Sequence, residues 1–297
     1  MKNLKKSIQI LSLLTLTFGF AQITPEVHFK TVDQATPIEE VTYKYLLGDK
    51  VFLRETPSLK SKKLAVLNIG TKLVLREKTN DYEIINGIKS NWYRVNVGAD
   101  EGWVWGGLIA QKTFGSQTYH NVKFVYGYAS VTTNAHGILK NKHQLRAYKN
   151  GIELDRIVFD GYKAIPLHIE NMGNKGLFNV EDIIAIDIPE GKTNVSTGKT
   201  YIFWNNGKFT HVASLKNYSN KNYSKSESFI FPSDMEGQKN SIVLKTHITT
   251  HNTNIENDAA DKKEYITSFF KWDGYKLVKK EDPPIVPNIN IASNLNI

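Results

Sequence analysis

The chain has 297 residues, enough for two domains that each bury a core. It contains no cysteine, which excludes disulfides, a lipidated N-terminal cysteine, thiolate zinc sites and a cysteine nucleophile. The formal charge of +9 rests mainly on lysine, with no Arg-rich cluster or basic helix, so nucleic acid is a poor partner and the anionic surface of a cell envelope a better one.

Lys2, Lys5 and Lys6 precede a mostly apolar run from Ile8 to Phe20, and Gly19-Phe20-Ala21 supplies the small residues of a cleavage site. This pattern predicts a secretory signal peptide over residues 1–21, cut before Gln22, and an exported protein, periplasmic or secreted. A membrane anchor needs roughly 20 apolar residues, so stable membrane insertion after cleavage is not expected. Loss of the three lysines leaves +6. Residues 22–42, with Pro25 and Pro37 and no sustained periodicity, read as a linker.

Residues 43–111 form the most informative stretch. Trp92 to Val97 and Trp103 to Trp105 flank Gly98-Ala99-Asp100-Glu101-Gly102, which predicts a β-hairpin with tryptophan on both arms. Upstream stand Val51-Phe52-Leu53-Arg54, Pro57-Ser58 with Ser61, and Leu64 to Thr71 ending in a glycine turn. In that order these pieces resemble a bacterial SH3 (SH3b) domain. A longer segment, Thr79 to Ser90 with Asn86-Gly87 inside it, departs from the pattern and enlarges a loop.

The resemblance implies a small SH3-like barrel that binds peptides or cell-wall material and catalyses nothing. A barrel this small fills its interior with side chains, so a ligand lies on the surface, where flat aromatic rings offer contact area at low entropic cost. Trp103 and Trp105 alternate with Val104 and share one face. Trp103 is expected to cover the core and Trp105, followed by two glycines, to be exposed. Arg54, Tyr82, Trp92, Tyr93 and Trp105 are the expected ligand-binding residues, each weighed against plain packing or, for Arg54, against pinning a loop.

Residues 112–282 carry short β-branched or aromatic runs: Val122 to Val131, Gln144 to Tyr148, Glu153 to Phe159, Ile183 to Ile188, Thr200 to Trp204, Ser241 to Ile248 and Tyr265 to Trp272. Turn residues separate them, which predicts a larger antiparallel β domain, either a sandwich, a barrel or a partial propeller. The whole chain is thus expected to be all-β. Tyr148-Lys149-Asn150-Gly151, Trp204-Asn205-Asn206-Gly207 and Trp272-Asp273-Gly274 are related hairpin turns, and the last two resemble blade edges of integrin-like (FG-GAP-like) repeats.

Residues Glu170 to Gly176 with Glu181 and Asp182 are the nearest approach to a calcium loop, but they lack the dense carboxylates a hard cation requires. His247 and His251 lie in a β-branched HITTH segment. On a strand their four-residue separation of about 13 Å is too long for one metal. The Lys/Ser/Asn-rich residues 217–224 read as a long solvated loop, and residues 283–297 as a frayed tail.

No metal or cofactor is expected, and no nucleophile elbow or paired-carboxylate signature stands out. These features favour an exported, non-catalytic binding protein whose partner is peptidoglycan or another envelope peptide or polymer. A cell-wall hydrolase with its site in the C-terminal domain and an assembly factor that binds an envelope protein remain the alternatives.

Overall fold

Alternating apolar and polar residues between Thr36 and Trp105 build one six-stranded antiparallel sheet. Its strands are β1 (Thr36–Tyr45), β2 (Val51–Arg54), β3 (Lys63–Leu67), β4 (Lys72–Ile85), β5 (Ile88–Val97) and β6 (Asp100–Trp105), in the order β1-β4-β5-β6-β2-β3. The computed structural model describes residues 36–137, 139–161, 168–189, 196–251 and 260–281. The expected signal peptide and residues 283–297 lie outside them.

Leu53, Leu73, Val95 and Val104 fill the interior of this first sheet. Two expectations change here. Residues 36–42, read as linker because Pro37 interrupts any period, belong to β1, which pairs with β4 across an irregularity between Pro37 and Thr42. The sheet is also open and not a closed barrel, because β1 takes the outer edge of β4 while β3 ends the other side unpaired.

Three antiparallel meanders follow in chain order. The second sheet contains β7 (Lys112–Gly115), β8 (Val122–Thr133), β9 (Leu139–Lys149) and β10 (Ile152–Asp160). The third contains β11 (Ile169–Asn171), β12 (Asp182–Pro189), β13 (Ser196–Asn205) and β14 (Lys208–Lys216). The fourth contains β15 (Tyr218–Ser219), β16 (Tyr223–Ile230), β17 (Ile242–Thr250), β18 (Lys262–Trp272) and β19 (Leu277–Lys279). Each run named between Val122 and Trp272 falls on one of these strands, with only Ser241 just outside β17. Residues 217–224, expected to form a loop, instead form the short β15–β16 ladder, with Tyr218 opposite Lys225.

The sheets stack face to face. Phe124, Tyr126 and Leu145 of the second sheet meet Ile184, Ile202 and Trp204 of the third. Ile183, Tyr201 and Phe203 on the third sheet's other face meet Phe229, Ile242 and Trp272 of the fourth. The architecture is therefore a series of stacked antiparallel sheets, none of them closed into a barrel. Burying both faces of one sheet requires apolar residues at successive positions, which β12 supplies in its Ile183-Ile184-Ala185-Ile186 run.

Buried polar groups lock the layers together. Asp182, in the acidic stretch considered for calcium, is fully buried. It accepts hydrogen bonds from the Ser116 hydroxyl, the Gln117 N–H at 2.8 Å and the Asn171 side-chain amide at 2.8 Å, and so ties the β7–β8 connection to the third sheet. His247 to Thr250 of the HITTH segment lie on β17, where His247 stacks on Tyr265 at 4.4 Å, and His251, just past the strand's end, pairs with Asp261 at 2.9 Å.

In the second sheet, His143 is buried, edge-on to Tyr128 at 4.8 Å and hydrogen-bonded to the Tyr126 hydroxyl. Burial pulls its pKa down to about 4. The unfolded chain takes up this proton near pH 6.5, so the stabilisation is complete above that pH and is lost as the pH falls toward 4. The loss amounts to about 3 kcal/mol across the window. Urea midpoints between pH 4 and 7 should show this slope, and His143→Gln should flatten it relative to the parent protein.

Candidate functional site

The first sheet carries its distinctive chemistry on the face opposite its core. The turn at Gly98-Ala99 sets the register of β5 and β6, with Val97 opposite Asp100, Arg94 opposite Trp103 and Trp92 opposite Trp105. Arg94 also faces Glu77 on β4, and Trp103 faces Arg54 on β2. Residues directly opposite across a ladder share a face, so Glu77, Arg94, Trp103 and Arg54 form one row across four strands.

The charges of this row are fixed. Arg94 reaches Glu77 at 2.8 Å and also bonds Glu101, and these two carboxylates, Glu101 first, raise its already high pKa. Arg54 is only 8% exposed and donates from Nη1 to the Ser61 carbonyl at 2.9 Å, which pins the loop between β2 and β3. Trp103, the partner of both arginines in the strand register, is half-buried and packs against the Trp92–Trp105 cluster.

The expected ligand-binding residues do not form one groove. Trp105, expected to be exposed, is 4% exposed and pairs with buried Trp92. Its indole N–H lies 3.2 Å from the Ser90 carbonyl, and the Trp92 indole N–H donates to Glu83 at 2.8 Å. The glycines after Trp105 let the chain fold against the ring and do not open it to solvent, since a Cβ at Gly107 would fall 2.1 Å from the indole. Tyr93 points to the opposite, core side, where burial raises its phenol pKa. Tyr82 is exposed, with the Lys89 ammonium 3.5 Å from its ring centroid. Arg54 acts as the loop pin that was its bland alternative.

The covering surface comes from the second sheet. Tyr128 and Val131 of β8 pack on the Trp92–Trp105 pair. The enlarged segment from Thr79 to Ser90 extends the β4–β5 hairpin, whose Asn86-Gly87 tip has φ of 51° and 74° at its two residues. The Asn86 carbonyl accepts the Val131 N–H at 3.0 Å, and a Cβ at Gly87 would lie 1.7 Å from the Val131 carbonyl oxygen, so only glycine permits this approach. Leu47, Ile69 and Ala110 meet Val125 and Tyr148 in an adjoining contact.

Residues 49–110 match the family model of the bacterial SH3 domain. The sequence resemblance therefore stands, over the same strands that hold the Arg94–Trp103–Arg54 row. No curated protein and no solved structure gives a significant match to the chain. A bacterial SH3 domain suggests a binding module, of a kind often associated with cell walls. Within this SH3 domain, the sequence missed Trp103 and Arg94 as the central pair, although counting back from the Gly98-Ala99 turn would have placed them opposite one another.

The two indoles should respond differently to truncation. Trp105→Ala is expected to cost about 3–5 kcal/mol, as for other buried aromatics, whereas Trp103→Ala should cost about 1–2 kcal/mol. Chemical denaturation of both variants checks this order.

Proposed function

We propose that the protein is an exported, non-catalytic binding protein whose SH3 domain holds a peptide-bearing polymer of the cell envelope, such as peptidoglycan. The observation that carries this proposal is the half-buried Trp103, which stands opposite Arg54 and Arg94 in the strand register on the face of the SH3 sheet opposite its core. A half-buried flat indole suits the amide planes of short peptides, and the fixed Arg94 beside it costs little further ordering on binding.

Export is supported by the N-terminal charge and apolar pattern, and absence of catalysis by the cysteine-free sequence, which removes the peptidase nucleophile that often accompanies such domains. The stacked β sheets act as a spacer and offer a second face, so that weak single sites gain from avidity. A protein partner is the second reading, favoured by the open edge of β3 and the exposed Leu64 and Val66 on that strand, which leave room for strand addition.

Sedimentation of the mature protein with purified peptidoglycan, with mass spectrometry of the supernatant, tests the proposal. Salt-resistant retention, about tenfold weaker for Trp103→Ala and without released fragments, is the expected result. Unchanged retention of that variant would remove the assigned face, and released muropeptides would overturn the non-catalytic assignment.

A further inference from the structure

A cavity of about 690 Å³ lies far along the chain from the SH3 domain, between the loop preceding β12 and the β18–β19 hairpin. That volume suits a drug-sized ligand or a short oligosaccharide. The Phe178 ring at its rim is 82% exposed. An apolar ring of that size left in water at the mouth of a concave site is available as a stacking platform.

Leu177 and Trp272 extend the apolar part of the lining, and the rest is polar and cationic. Lys271 and Lys280 bring two ammonium groups, and Lys280 is steadied by the Ser241 hydroxyl at 2.6 Å. Lys271 is exposed on β18. The one carboxylate in the lining, Asp273, accepts the backbone N–H groups of Tyr275 and Lys276 at 2.8 and 2.9 Å. Those backbone bonds, that from Lys276 first, hold its pKa below the usual carboxylate range, so it is ionised, and two ammonium groups against this one carboxylate leave the lining net positive.

Two primary amides complete the lining, Asn179 and Asn240, each held in the left-handed region at φ of 59° and 57°. The Asn179 carbonyl also receives the Trp272 indole N–H at 3.4 Å, which fixes the loop to the cavity floor.

An exposed aromatic ring, paired amides and two ammonium groups around a concave space match the three surfaces of an acidic sugar: a hydrophobic ring face, hydroxyls and a carboxylate. The geometry points to a second binding site, for an acidic saccharide unit of an anionic glycan, at Phe178, Asn179, Asn240, Lys271 and Lys280. Stacking on Phe178 orients the ring, the amides read hydroxyls, and the lysines hold the carboxylate. This site is independent of the SH3 face and of what that face binds.

The test is isothermal titration of the mature full-length protein with oligogalacturonate, with chitotetraose as a neutral sugar and a short polyglutamate as a non-sugar polyanion. Phe178 and Lys271 are both exposed, so Phe178→Ala and Lys271→Gln should fold normally. Oligogalacturonate should bind about tenfold more tightly than either other probe and lose about tenfold with each variant, while Trp103→Ala leaves it unchanged. No binding at millimolar concentration, equal binding of chitotetraose or polyglutamate, or indifference to both variants would overturn the assignment.

Discussion

The third sheet has no solvent face at its centre, and this constraint shapes the C-terminal part of the molecule. Ile184, Ile186 and Trp204 point toward the second sheet, while Ile183, Ala185 and Phe203 point toward the fourth. Neither set can be buried unless a complete sheet lies on each side. The chain meets that demand with consecutive meanders laid one on another, each contributing a face to its neighbour. The three related turns take part in the same scheme. The aromatic ring before each turn points back into the preceding layer: Tyr148 toward the SH3 domain, Trp204 toward the second sheet and Trp272 toward the third.

The SH3 domain is the first member of that series. Its Trp92–Trp105 pair, which on an isolated domain would be the obvious aromatic surface, is covered by Tyr128 and Val131, and its lengthened hairpin hydrogen-bonds to β8. The next row along the same strands is left uncovered by that contact, and in it Trp103 stands opposite two arginines in the strand register. The hairpin that reads in the sequence as an enlarged loop is the clamp that holds the domain to the stack. Local charge then sets the character of the remaining surface, since Arg94 is anchored by two carboxylates and Arg54 is committed to the Ser61 carbonyl.

Much of the architecture is legible in the sequence because strand signals are local. Runs such as Ile183 to Ile188 and turns such as Asn205-Asn206-Gly207 specify strand and reversal from a few residues, and the SH3 pieces occur in their family order. Strands with little apolar content are much harder to read. The polar Tyr223–Ile230 segment becomes β16 because β17 offers it a partner, and β1 exists because β4 has a free edge. Exposure is harder still. Trp103 and Trp105 share a strand face and a composition, and only the position of β8, set by contacts made more than twenty residues later, decides which of them is covered. The cavity beside Phe178 is likewise assembled from segments about ninety residues apart, with no local pattern to announce it.

The chain has five tryptophans, and they occupy distinct environments: Trp103 half-buried on the SH3 face, Trp92 and Trp105 under β8, and Trp204 and Trp272 between later sheets. A proton–nitrogen correlation spectrum of the five indole N–H groups, recorded as soluble peptidoglycan fragments are added to the mature protein, therefore tests the account directly. The account predicts that the Trp103 resonance moves and saturates while those of Trp92 and Trp105 stay in place and exchange slowly with solvent. Movement of the Trp92 and Trp105 resonances with Trp103 unchanged would mean that the ligand displaces β8, and would contradict both the packing and the site assigned here.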